Sequence, residues 1–371
     1  MSELTALIGG RFGRPFCRTL WFLLLWPFFL LWQGSNFIGF LLDELLFSRY
    51  RNVQIKAPVF ILGPPRSGTT HMHRVLAESD DHYSTPPAWE VLLAPSIVQK
   101  KFYYAWIRLD RRIGRPFARS FSFVETRLLK PFLDTHPGSL NDPEEDYFYL
   151  SGFLCCTGWI LAFPHWKGIR RLMPGCTEVS VEKRRASLAL YKRCLQKQVM
   201  VHGVGKTILS KNASFSSWLD LLPDFFPDAR FVICMRSPTE TVPSMLSTAD
   251  EALKGFFAEG FEKELHPILI KNMQAHYQVL LNGAAKLAPA HRVVIGNVEM
   301  KNELDQVFGV LRTRLGLSCS ESFSERLPSL AEKSKAHQSV HRYQTEDYDL
   351  DVDALLKTCP MLPTTLQEKM R

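Results

Sequence analysis

Apolar positions along the chain fall into three kinds of run. Near the N-terminus, residues 20–32 read LWFLLLWPFFLLW and are apolar on every helical face. A second apolar stretch, 37–47, carries Asp43 and Glu44 on what would be one side of a helix. Further on come short apolar runs of strand length: Val59-Phe60-Ile61-Leu62, 205–210, 229–235 and 291–295. Between them, 71–77, 181–201, 214–226, 238–248 and 261–287 have helical character. Strands alternating with helices predict a parallel sheet covered on both faces. Ligands of such sheets gather at the carboxyl ends of the strands. Arg66, Lys211 and Arg236 each stand just past such an end.

The N-terminal run is shorter than the roughly 20 apolar residues that a full span needs. It contains Pro27, meets the polar Gln33-Gly34-Ser35-Asn36, and follows Arg11, Arg14 and Arg18. No small-residue cleavage site follows it, which argues against a signal peptide. The pattern predicts a monotopic anchor, one shallow or re-entrant apolar helix and then an amphipathic one; a single long tilted span is the alternative. Residues 1–57 form this anchor in our reading, and 58–371 form a catalytic domain with a helical insertion at about 100–200.

Charge adds little to this picture at first. The 371 residues carry a net +8, which suits an acidic ligand or an anionic membrane surface as well as nucleic acid. Without zinc-finger spacing, heptads or repeats, a dedicated nucleic-acid reader is not expected. Residues 100–130 hold nine Lys/Arg against two acids, with aromatics between them. Arg108, Arg112, Arg115 and Arg119 have helical spacing, although Gly114 and Pro116 interrupt it. This stretch reads as a solvated helical face or as a basic aromatic surface resting on anionic lipid. The eight cysteines are scattered with no CxxC pair, and Cys234 falls in a predicted strand. That usage favours a reducing compartment. The expected location is a membrane surface, with the catalytic domain on its cytoplasmic side.

The candidate chemistry sits where β-like Val59–Leu62 enters Gly63-Pro64-Pro65-Arg66-Ser67-Gly68-Thr69-Thr70. Gly63 and Gly68 have the spacing of a loop that cradles a phosphate with backbone N–H groups and a helix N-terminus. The fold class expected from this is α/β, a P-loop-type three-layer fold with a central parallel sheet flanked by helices, plus the N-terminal membrane-associated helical segment. A nucleotide triphosphatase would place Lys at position 69, whereas this chain has Thr69 and carries its cation inside the loop as Arg66. The loop is therefore expected to hold a phosphate that stays bound.

PPRSGTT, Leu209-Ser210-Lys211-Asn212, 226–231 and Arg236-Ser237-Pro238 with Ser244 together resemble the nucleotide-dependent sulfotransferases. The resemblance is to the bacterial-type branch related to the tyrosylprotein enzymes. It also takes in Ser339-Val340-His341-Arg342-Tyr343 with Glu346-Asp347, and covers roughly residues 58–351. It implies that Arg66, Ser67, Gly68, Thr69 and Thr70 hold the 5′-phosphosulfate side of 3′-phosphoadenosine 5′-phosphosulfate, and that Arg236 and Ser244 grip the 3′-phosphate. That nucleotide is the implied co-substrate, and no metal is expected.

Sulfuryl transfer needs an acceptor hydroxyl in line, a base for its proton, and cations on the oxygens that gain charge. Arg66 and Lys211 are the candidates for charge stabilisation. Glu90 is the expected base, because the resemblance implies a catalytic glutamate in the stretch Pro87-Ala88-Trp89-Glu90. His73, His136 and His341 stand behind it. The histidine often found shortly after the family's lysine is missing here, where the run is Lys211-Asn212-Ala213-Ser214-Phe215. The acids of Asn141-Asp142-Pro143-Glu144-Glu145-Asp146 read as the first turn of a helix. The anchor makes a lipid or other amphiphilic hydroxyl the expected acceptor. The competing readings are a P-loop kinase or NTPase and a non-catalytic membrane-attached nucleotide-binding protein.

Overall fold

The computed structural model describes residues 14–79, 81–119, 139–153, 156, 159–162, 168, 179–202, 205–255, 260–336, 345–361 and 363–365. Its core is a parallel sheet of β1 (Val59–Leu62), β2 (Tyr83–Ser84), β3 (Thr207–Lys211), β4 (Arg230–Met235) and β5 (Arg292–Gly296). The strand order is β2-β3-β1-β4-β5. The helices used below are α1 (Arg14–Leu46), α2 (Thr69–Ala77), α3 (Ala88–Leu93), α4 (Ile97–Arg112), α5 (Val181–His202), α6 (Pro238–Gly255) and α7 (Glu262–Lys286), then α8 (Asn297–Asn302), α9 (Leu304–Leu315) and α10 (Glu321–Ala336).

Central strand β1 is buried on both faces, as its unbroken VFIL requires. Alternation along the strands divides the core in two. Phe60, Leu62, Phe231 and Ile233 pack with Leu188 and Tyr191 of α5, Leu246 of α6 and Tyr277 of α7. Val59, Ile61, Val232 and Cys234 pack with Met72 of α2, Phe308 of α9 and Phe323 of α10. In register, Ile61 lies opposite Lys211 and Leu62 opposite Ile233. The carboxyl ends of β1, β3 and β4 therefore share one edge of the sheet.

Several expectations are corrected. The α/β architecture with a central parallel sheet is present, but the P-loop-type designation is not supported. That designation rests on the strand–loop–helix pattern and the spacing of Gly63 and Gly68, and it is overturned by the structural likenesses given below. Residues 214–226 form two separate turns, Ser214–Trp218 and Leu222–Phe225, instead of one helix. The Asn212 side chain accepts the Phe215 N–H at 3.1 Å and turns the chain, and Pro223 starts a new turn. No helix starts at 141; a 3₁₀ turn runs over Asp146–Phe153. Residues 339–343, His136 and His341 lie outside the described residues.

The N-terminal segment is one helix that runs through Pro27, not two. By length and composition, Leu23–Leu46 is long and apolar enough to cross a membrane. From Phe29 onward, however, one face of α1 is seated on the rest of the chain. Phe29 meets the Trp159 ring edge-on at 5.7 Å. Trp32 donates to Leu92 O at 2.6 Å, Gln33 donates to Gly152 O at 2.8 Å, and Asn36 accepts from Gln99 at 3.0 Å. Asp43, fully buried, accepts the Ile97 and Val98 N–H groups that open α4 and pairs with Lys197 at 2.9 Å. Gln33 and Asn36, which look like a break in the sequence, are contacts. Lys197 is 2% exposed, so losing Asp43 would strand a buried cation, at a cost of about 3–5 kcal/mol.

Candidate active site

The loop between β1 and α2 is shaped by what cannot fit around it. A Cβ on Gly63 would lie 2.3 Å from the Cys234 carbonyl, so the loop can pass close over β4 only as glycine. Gly63 donates its N–H to Ser216 Oγ at 3.0 Å. Arg66 adopts a left-handed φ of 67°, a strained state for a side-chain-bearing residue that is common at functional sites. Gly68, at φ 93°, then turns the chain into α2, whose first residues are Thr69, buried, and Thr70, exposed.

Arg66 joins this loop to the element after β4. Its Nε donates to Ser244 Oγ on α6 at 2.9 Å, and its carbonyl accepts from Arg236 Nη1 at 3.3 Å. Arg236 is fixed through its backbone, where its carbonyl accepts from Tyr277 of α7 at 2.6 Å, and through its side chain, which pairs with Glu240 at 3.1 Å. Arg66, Arg236 and Ser244, distant in sequence, form one cluster. Around it, buried Ser67 Oγ, Arg236 Nε and Asn212 Nδ2 have no hydrogen-bond partner within the described chain. Buried polar groups are normally satisfied. All three can donate, and they lie at the ends of β1, β4 and β3, a donor set that fits a polyanionic ligand.

Lys211 stands on the other side of this edge, 5% exposed, with its ammonium 2.5 Å from Glu145 and 3.9 Å from Glu144. Burial raises the Glu144 carboxyl above its ordinary value, against the pull of Lys211. Asp146, next in the chain, is fully buried and accepts from Tyr191 at 2.6 Å and Ser210 at 3.0 Å. Its burial outweighs those two hydrogen bonds and pushes it up to about 7. Glu144, Glu145 and Asp146 thus take up side-chain partners around β3, and Asp142 pairs with Arg74 of α2 at 3.5 Å, roles that their resemblance to a helix start conceals. His73 is fully buried and hydrogen-bonds Thr85 at 2.7 Å. Burial, then Lys211 and Arg74, hold it well below its ordinary value, so it is neutral.

Glu90 occupies a separate, closed network. It is fully buried on α3, 2.5 Å from Lys100 of α4 and 2.7 Å from His202 of α5, and it accepts from the Tyr104 hydroxyl. Lys100 also donates to Tyr149 at 3.0 Å. Burial raises the Glu90 carboxyl, but Lys100 and His202 outweigh it and hold it at about 2. The network borders the Lys211 side: Glu144 donates its N–H to Pro86 O, Pro87 bridges to Pro143, and α5 carries both His202 and the Tyr191 that bonds Asp146. Among the described residues, no cluster of three His, Cys, Asp or Glu is arranged to hold a metal ion.

Residues 58–321 match the model of the sulfotransferase family. The omega-hydroxy-beta-dihydromenaquinone-9 sulfotransferases Stf3 of Mycobacterium bovis and Mycobacterium tuberculosis are each 23% identical to this chain over 364 residues, covering 94% of it and 83% of theirs. Among solved structures, sulfotransferase STF9 of Mycobacterium avium superposes with a TM-score of 0.65 at 18% identity, covering 85% of this chain and 78% of that one. Sulfotransferase STF1 of Mycobacterium tuberculosis H37Rv gives 0.65 at 20% identity, covering 86% and 80%. The parallel sheet is thus that of known sulfotransferases and not a P-loop NTPase fold, which overturns the P-loop-type designation.

Proposed function

We propose, from the premise that this chain belongs to the sulfotransferase family, that it sulfates the hydroxyl of an amphiphilic, membrane-held alcohol. The enzyme class and the donor come with the family: the protein is a sulfotransferase that depends on 3′-phosphoadenosine 5′-phosphosulfate. The residue roles and the acceptor are our reading.

The observation that carries the site assignment is the meeting of Arg66, Arg236 and Ser244, with unpartnered Ser67 Oγ and Arg236 Nε beside them. In this reading Ser67, Gly68, Thr69 and Thr70 hold the 5′-phosphosulfate side, and Arg236 and Ser244 hold the 3′-phosphate. Arg66 and Lys211 stabilise charge on the transferring group. The acceptor oxygen attacks sulfur in line, the sulfur–oxygen bond to the 5′-phosphate breaks, and adenosine 3′,5′-bisphosphate leaves.

For the acceptor's proton there are two carboxylates. Glu90 is the one expected from the chain, yet its oxygens are occupied by Lys100, His202 and Tyr104, and a carboxylate held at about 2 is a weak base. Glu145 touches Lys211, which we place at the sulfuryl group, and its side chain retains 20% exposure. We therefore assign the proton to Glu145 first and to Glu90 second.

The acceptor class rests on α1, whose outer face is apolar and exposed, and on the Stf3 relatives, named for a hydroxylated dihydromenaquinone. Buried free Cys156, Cys194, Cys234 and Cys359 support a cytoplasmic catalytic side. Transfer of labelled sulfate from the donor to a membrane extract of the source cell tests the proposal. Label is expected in organic-soluble material and is expected to disappear with Lys211→Ala. Label confined to protein or to water-soluble alcohols refutes the acceptor class. Phosphate release from ATP without sulfate transfer refutes the whole assignment.

A further inference from the structure

The helix α1 passes the length test for a span, but its contacts divide it. Leu23, Leu24, Trp26 and Phe28 are exposed, and this apolar part, residues 20–31, is only about 18 Å long as helix. That falls short of the roughly 30 Å of a bilayer core. The following turns cannot make up the difference. Their inner face is bound through Trp32, Gln33, Asn36 and Asp43 to the catalytic chain, and Phe37, Ile38, Leu41 and Leu45 face outward. The same contacts argue against a removable signal: Asp43 accepts the first two N–H groups of α4, and Lys197 takes its counter-charge there.

Where α4 starts, at its contact with α1, a second exposed surface begins. Phe102, Trp106, Leu109 and Ile113 are all exposed and recur at i, i+4, i+7 and i+11, a single helical stripe. Lys101, Arg108 and Arg112 stand one residue before Phe102, Leu109 and Ile113 and form, with Ala105 before Trp106, the neighbouring stripe. Lys101 holds its ammonium 4.4 Å over the ring of Phe47, just past the end of α1, so the two helices are joined at this point. From 97 to 119 the exposed charges are all positive, because Asp110 is buried against the Phe117 and Ala118 N–H groups and Lys100 is buried against Glu90. An apolar stripe whose neighbouring exposed charges are all cations is complementary to anionic headgroups above acyl chains.

We propose that α1 and α4 together form a monotopic docking surface for one anionic phospholipid leaflet, with α1 a permanent part of the fold that dips into the bilayer without crossing it. This deepens, and rests on, the reading of the acceptor as a membrane-held alcohol.

The test uses the purified full-length protein and vesicles of phosphatidylcholine, alone or mixed with phosphatidylglycerol. Binding roughly tenfold or more tighter to the mixed vesicles is expected, and it should weaken in high salt. Arg108→Glu with Arg112→Glu should abolish that preference, and Trp106→Ser with Leu109→Ser should weaken binding to both kinds of vesicle. Calorimetric affinity for adenosine 3′,5′-bisphosphate should stay unchanged in both variants, which separates failure of docking from failure of the site assignment. Equal binding to both vesicle types, or charge-reversed α4 with an intact preference, overturns the proposal. So does an N-terminal tag protected from protease inside sealed native vesicles, which means a span, or a mature N-terminus beyond Leu46, which means a cleaved signal.

Discussion

Replacing Arg236 by alanine removes the proposed grip on the 3′-phosphate together with the hydrogen bond from Arg236 Nη1 to the Arg66 carbonyl. Tyr277 holds the backbone carbonyl at 236, which survives the substitution, so the end of β4 keeps its place. The side-chain partner left behind is Glu240, whose side chain is 52% exposed, so no buried charge is stranded and the fold is expected to persist. The loss is then one charge-assisted contact, worth about 2 kcal/mol, or roughly 30-fold in Kd. Titration calorimetry with adenosine 3′,5′-bisphosphate should show that loss, and 5′-AMP, which has no 3′-phosphate, should bind wild type and variant alike. Glu240→Gln supplies the opposite sign. It removes a carboxylate that competes for Arg236, and a pair this exposed is worth about 0.5 kcal/mol, so bisphosphate affinity should rise about twofold. Unchanged bisphosphate affinity in Arg236→Ala, or an equal loss for 5′-AMP, would refute the assignment.

The carboxylates Glu145, Glu90 and Asp146 each lead to a further prediction. Glu145→Gln should lower kcat by roughly 10²–10⁴-fold with bisphosphate affinity nearly unchanged, whereas Glu90→Gln should destabilise the protein in urea by about 3–5 kcal/mol, because it leaves Lys100 buried without its counter-ion. A Glu90→Gln enzyme of normal stability and lost turnover would return the base to Glu90. Asp146 has its carboxyl raised to about 7 in the fold against 3.8 ordinarily, so its contribution to stability is fully present below about pH 4 and is lost as pH rises toward 7. Asp146→Asn should flatten the stability–pH curve across that window, and an unchanged slope by urea denaturation at several pH values would show that another group produces it.

The strand ends were legible because they are local. An apolar run, a glycine or proline, and a cation within a few residues suffice to place Arg66, Lys211 and Arg236 on one edge of a parallel sheet. What gives the remaining groups their duty is supplied from far along the chain. Glu145 meets Lys211 across 66 positions, and nothing in Asp142-Pro143-Glu144-Glu145-Asp146 distinguishes that from a helix start. Gln33 and Asn36 interrupt an apolar pattern in sequence but contact Gly152 and Gln99 in space. In the same way, a helix over 214–226 fails because Asn212 turns the backbone of Phe215 by a side-chain contact that periodicity does not report.

Glu90 shows where such reasoning stops. Among the described ion pairs, three glutamates near the sheet edge and α3 hold a cation at comparable distance: Glu240 on Arg236 at 3.1 Å, Glu145 on Lys211 at 2.5 Å, and Glu90 on Lys100 at 2.5 Å. By residue type and separation they are equivalent. Water access divides them. The side chain of Glu240 is 52% exposed and that of Glu145 is 20% exposed, so an arriving anion can take over either cation and its carboxylate can turn to solvent or to an acceptor. Glu90 and Lys100 are both 0% exposed, and separating them would leave two charges in a medium that cannot solvate them. In the proposed assignment the first two pairs exchange when a ligand binds, and the third stays in the frame. Burial, which is a property of the assembled fold and not of any short stretch of it, is what separates the three pairs.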